Sequence, residues 1–147
     1  MSDVVEKLYN KLVFYGYFPE EFQFNSSLSS LELITRVDGY VDLNIILPLL
    51  NNDEVWDNIV NHILKIDKEY LNLSDLNLIR KLLINNNLII YSNSLGDNFV
   101  SSGLLLNKDL ILDTDIVFLN EVLVSSGFMF LVCGYSFLYK YMNQSIS

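Results

Sequence analysis

Between Asp53 and Ile66 the apolar residues fall at three- and four-residue intervals: Trp56, Ile59, Val60, Ile63 and Leu64. That spacing predicts an amphipathic helix with one buried stripe. Carried further, the helix would set Asp67 in the middle of the stripe, so it should end near Ile66. Asp3–Tyr15 has the same grammar. Val5, Leu8, Leu12 and Tyr15 share one face, Asp3 and Glu6 have capping-box spacing, and Gly16 supplies a stop. A third helix is expected from a cap at Ser74, with Leu76, Ile79, Leu82 and Leu83 turned inward and Asn85, Asn86 and Asn87 closing it.

Other stretches read differently. In Phe18-Pro19-Glu20-Glu21-Phe22, a proline followed by two acids predicts a short helical turn. Leu31–Ile46 predicts a hairpin around Asp38-Gly39. A loop of Asp38, Gly39 and Tyr40 sets Val37 opposite Val41, Thr35 opposite Leu43 and Leu33 opposite Ile45, which gathers one mostly apolar face. A helix over Ser30–Val37, followed by one capped by Asp42, competes with it. Pro48 ends or kinks whatever precedes it. Leu88–Tyr91 and Phe99-Val100 flank the turn-rich Ser92–Asn98, which predicts another hairpin. Leu104–Leu106 and Leu110–Leu112 continue as short apolar runs, and Thr114 or Asp115 is placed to cap a helix through Ile116, Leu119 and Leu123.

The most apolar stretch is Val122–Tyr139, eighteen residues without a charge. That length is near the lower limit for crossing a hydrocarbon core of roughly 30 Å. Ser125, Ser126, Ser136, Gly127 and Gly134 lower its hydrophobicity, and only Lys140 flanks it as a base. We therefore favour a buried core element, either a helix or a pair of strands, over a membrane span. Phe128, Phe130 and Val132 alternate with Met129, Leu131 and Cys133, so both faces of a strand would be apolar. These elements together predict a single α+β domain over residues 1–147, with helices in the first half, hairpins, and the apolar C-terminal stretch packed in the core.

Composition narrows the function class. Hydrophobic residues make up 51% of the chain, which excludes a disordered acidic tail and suggests a member of an oligomer or hetero-complex. The net charge of −9 argues against nucleic acid and for a basic protein partner. The single cysteine, Cys133, rules out an internal disulfide framework, and the N-terminal residues lack the basic-then-apolar order of a signal peptide. An intracellular protein is expected, with the sequons at Asn25, Asn72 and Asn143 unoccupied. The seventeen asparagines and absent alanine fit an AT-rich genome, viral or phage among the possibilities.

Catalytic signals are weak. His62 is the sole histidine and lies at the edge of the Trp56–Ile63 stripe. A general base needs a pocket and a nucleophile, which the sequence does not supply. Cys133 reads as an inert buried thiol. Asp113 and Asp115 lack the further oxygen ligands of a calcium loop, and Gly96-Asp97-Asn98 is too short to cradle a phosphate. We expect no catalytic residue, no metal and no cofactor. Charge distribution is more informative. Phe14–Leu64 holds eight acids against one base, Arg36, a local balance of −7. This predicts a non-enzymatic binding protein, whether inhibitor, immunity-type protein or assembly subunit, with an acidic face and aromatic anchors. The candidate partner-binding residues are Tyr17, Phe18, Glu20, Glu21, Phe22, Asp38, Tyr40 and Asp42. A tail-anchored protein with Val122–Tyr139 as its span is the alternative.

Overall fold

A computed structural model describes residues 3–38, 47–94, 99–110, 115–134 and 137–138. Helix α1 spans Asp3–Phe14 and buries Val5, Leu8 and Leu12. Tyr15 is half exposed instead of joining that stripe, because the helix ends one residue before it. The chain turns at Gly16, whose φ of +91° is accessible to glycine at little cost. The Gly16 amide donates to Val13 and the Tyr17 amide to Leu12, closing the helix end.

Strand β1, Glu20–Ser26, occupies the place where a helical turn was expected. Glu20 pairs with Arg36, the register slips between Glu20 and Gln23, and Phe24 faces Leu33 across the ladder. Here cross-strand pairing overrides the local preference of a proline followed by acids. Strand β2, Ser30–Asp38, follows a tight turn in which the Ser27 amide donates to the Ser30 carbonyl at 2.9 Å. The expected partnership of β2 with Val41–Ile45 is corrected. Leu33 lies opposite Phe24 on one side and Leu104 on the other, so both edges of β2 are occupied. Residues 39–46 lie outside the described residues, as do the Thr114 and Gly96–Asn98 positions.

Helix α2, Asp53–Ile66, matches its predicted bounds and buries Val55, Trp56, Ile59, Val60, Ile63 and Ile66. Asn52 caps its first turn by accepting from the Val55 amide. Helix α3, Leu73–Ile84, is capped by Asn72, not Ser74; the Asn72 side-chain Oδ1 accepts from the Asp75 amide at 2.9 Å. The predicted asparagine stop holds, with Asn86 at a φ of +60°. Strands β3, Leu88–Ser94, and β4, Phe99–Asn107, form the second expected hairpin. The antiparallel sheet runs in the order β1-β2-β4-β3.

Helix α4, Ile116–Gly134, begins at an Asp115 cap that accepts from the Val117 and Phe118 amides. It is α-helical to Val122 and then widens into π-type turns at Leu123–Gly127 and Phe130–Gly134. The Ser125 hydroxyl donates back to the Glu121 carbonyl at 2.7 Å, competing for the helix ladder. With 19 residues and a mean hydropathy of 2.0, α4 is long and apolar enough to cross a bilayer. Every residue from Ser125 to Gly134 is nevertheless buried inside the protein. Its neighbours are α1, α2 and α3 on one side and β2 and β4 on the other. Gly127 makes the close approach to the sheet possible: a β-carbon there would sit 3.2 Å from Leu104 and 3.7 Å from Leu33. The inner face of the sheet supplies Leu31, Leu33, Leu88, Ile90, Leu104 and Leu106 to this core. The chain is thus α+β, and its most apolar stretch is the helix at the centre of the core.

Candidate functional site

Helix α1 presents two chemically different flanks beside its buried stripe. On one, Lys7 and Lys11 stand over the Tyr70 ring, 5.6 Å and 5.3 Å from its centroid. Lys11 also donates to Asp67 and, at 3.2 Å, to Glu69. These carboxylates and the desolvated lysine stem set its pKa against each other, and the Asp67 hydrogen bond prevails, raising it. On the other flank, Val5, Glu6, Tyr9 and Asn10 form one wall of a cavity of about 410 Å³. Pro19 and Phe22 of the β1 approach form the facing wall, and Phe128 of α4 is the floor. The Phe22 and Phe128 rings meet edge to face at 5.1 Å and 85°.

The geometry of the α1–β1 connection decides which aromatics are available. Tyr17 is half-buried, and its hydroxyl sits 2.8 Å from His62 Nε2 on α2. The His62 ring also lies 5.8 Å from that of Phe137. This anchor fixes the connection from below and leaves Phe18, the next residue, 62% exposed. Pro19 is buried in the groove wall. Phe14, one helical turn beyond the groove residue Asn10, is 85% exposed and packs edge to face with Tyr15 at 5.4 Å. Large exposed rings on the segments that border an apolar cleft are features of a protein-contact surface.

The sequence-derived candidates separate accordingly. Phe18 is an exposed ring, whereas Tyr17 and Phe22 are half-buried, Tyr17 against His62 and Phe22 in the groove against Phe128. Glu20 is exposed and stands 3.9 Å from Arg36, its cross-strand neighbour. Glu21 lies on β1, and Asp38, two residues beyond Arg36, ends β2 at the same end of the sheet as Glu20. Tyr40 and Asp42 lie outside the described residues. Sequence reasoning passed over Glu6, Tyr9, Asn10 and Phe14. A helical wheel carried one turn further would have flagged Phe14, since it falls opposite the Leu8–Leu12 stripe.

Other reactive groups are placed as structural parts. Burial alone pushes the Cys133 thiol well above the usual thiol range, which disfavours its thiolate. Asp115 is occupied in capping α4. Among the described residues, no group of three or more His, Cys, Asp or Glu side chains could hold a metal ion. Among the described residues, the groove contains no nucleophile paired with a base, and its polar side chains are the Glu6 carboxylate, the Tyr9 phenol and the Asn10 amide. No family model, no curated protein and no solved structure matches this chain.

Proposed function

We propose that the chain is a non-catalytic, intracellular protein-binding subunit. In this reading it engages a basic partner through the α1–β1 groove and the rings around it, while the acids of its first half steer the encounter. The observation that carries the proposal is the exposure of Phe14 and Phe18, at 85% and 62%, on the chain segments that also supply the cleft residues Asn10 and Pro19. Aromatic side chains of this kind contribute disproportionately to binding, and rim carboxylates such as Glu20 act mainly on association rate. The test compares full-length protein with a Phe14→Ser, Phe18→Ser variant as immobilised bait in extract of the source cells. Both substitutions lie at exposed positions, so the fold should persist by circular dichroism. A basic protein retained by the wild type and lost by the variant supports the reading. Equal retention of every bound protein by both forms rejects it.

A further inference from the structure

The groove has a second property beyond its apolar floor: its charge is one-sided. Among the described residues, Glu6 is the only charged one lining it. The two lysines of α1 that could have neutralised Glu6 are held on the opposite flank, Lys7 over Tyr70 and Lys11 between Asp67, Glu69 and Tyr70. The remaining polar groups, the Tyr9 phenol and the Asn10 carboxamide, can both accept hydrogen bonds from a cation. The apolar surface is supplied by Val5, Pro19, Phe22 and Phe128. An apolar cleft of about 410 Å³ with a single carboxylate on one wall distinguishes ligands by charge as well as by shape.

We infer that the groove takes one apolar side chain of a partner protein segment, with a lysine or arginine of the same segment paired to Glu6. This rests on the proposed reading of the groove as the docking site and adds the chemistry of the occupant. An acidic segment would meet Glu6 with no neighbouring base to offset the repulsion. A purely apolar segment would leave the Glu6 carboxylate partly desolvated against it, an unfavourable arrangement. A segment with its base roughly one helical turn, about 5.4 Å, from its apolar residue satisfies both walls at once. Glu6 is exposed, so the contribution of the pairing belongs to specificity more than to total affinity.

The experiment is a selection of random peptides, displayed on phage, against the immobilised full-length chain. Glu6→Gln and the Phe14→Ser, Phe18→Ser variant serve as comparison baits. The expected result is enrichment of peptides with a Leu, Ile, Met, Phe or Trp and a Lys or Arg within four positions of it. Synthetic versions should bind Glu6→Gln about two- to fivefold more weakly, as an exposed ion pair allows. Their amide-shift changes in the labelled protein should cluster at Val5, Glu6, Tyr9 and Phe22. Enriched peptides that occupy the groove without a basic residue, or that bind Glu6→Gln equally well, overturn the inference while leaving the docking surface in place. Failure of any peptide to distinguish wild type from the Phe14→Ser, Phe18→Ser variant overturns both. Self-association of the chain through the groove, seen by analytical ultracentrifugation and abolished by Asn10→Arg, also overturns it, because the occupant would then be a second copy.

Discussion

The Lys11 ammonium on α1 donates to the Asp67 carboxylate at the end of α2, joining two helices through residues 56 positions apart in sequence. The Asp67 side chain is fully shielded from solvent, while that of Lys11 is 31% exposed. The second Asp67 oxygen accepts from the Tyr70 and Leu71 amides, both at 3.0 Å. Asp67 therefore performs two tasks, ending α2 and ordering the turn into α3.

These two tasks predict unequal costs for removing the partners. Asp67→Ala deletes three hydrogen bonds and strands two amides, and should cost about 3–5 kcal/mol. Lys11→Met leaves the carboxylate its two amide bonds and should cost less, about 1–2 kcal/mol. Urea titrations followed by the fluorescence of Trp56 would give both values. Equal losses would mean that the ion pair, not the turn, is the main contribution.

A second prediction follows from Tyr91 on the outer face of the sheet. Its hydroxyl donates to Glu32 at 2.7 Å, and its ring covers Gly103, where a β-carbon would fall 2.2 Å from Tyr91 Cζ. Burial first, then the Glu32 hydrogen bond, raises the phenol above its ordinary value of 10.0. The Lys11 ammonium is raised above 10.5 by Asp67. Both groups hold their protons more tightly folded than unfolded, so their stabilisation is present below about pH 10 and lost as pH rises beyond it. The urea midpoint should fall between pH 8 and pH 11. In Tyr91→Phe the fall should be smaller, with a baseline loss of about 1 kcal/mol at pH 8. A Tyr91→Phe protein with the wild-type alkaline slope would exclude Tyr91 as its source.

The third prediction concerns α4. Its burial between the sheet and three helices implies that the full-length chain stays in the supernatant after high-speed centrifugation without detergent. Val132→Asp places a charge at a position 4% exposed and should unfold the domain, at a cost above about 4 kcal/mol. Partition of the wild type into membranes, with Val132→Asp still folded, would restore the membrane-span alternative.

Legibility in the sequence followed the range of the interactions. Helix α2 could be read to its last residue, because its stripe and the misfit of Asp67 are both local. The α3 cap was misplaced by two residues because Asn72 and Ser74 are both good cap formers, and only the structure shows whose side chain accepts from the helix. β2 was recognised as a strand, but its partner, β4, lies some seventy positions away, and no local register rule points to it. From Val122 onward α4 offered no period because almost every residue there is buried, so helix and strand looked alike. The site was half legible. A surplus of aromatics near the end of α1 was visible, yet the assignment of Tyr17 to support and Phe18 to solvent depends on His62, 45 residues from Tyr17.

The position of α4 in the chain shapes how the protein must be made. The β1–β2 and β3–β4 hairpins and the α2–α3 pair are all local units that can form as soon as they leave the ribosome. Each one, however, contributes an apolar wall whose complement is α4, and α4 is translated after all of them. During synthesis, Leu31, Leu33, Ile59 and Ile63 therefore face an empty centre. Nascent chains at that stage expose contiguous apolar surface and are natural clients for a holding chaperone. A ribosome pause or premature stop ahead of Ile116 would yield not a smaller folded domain but an aggregation-prone fragment.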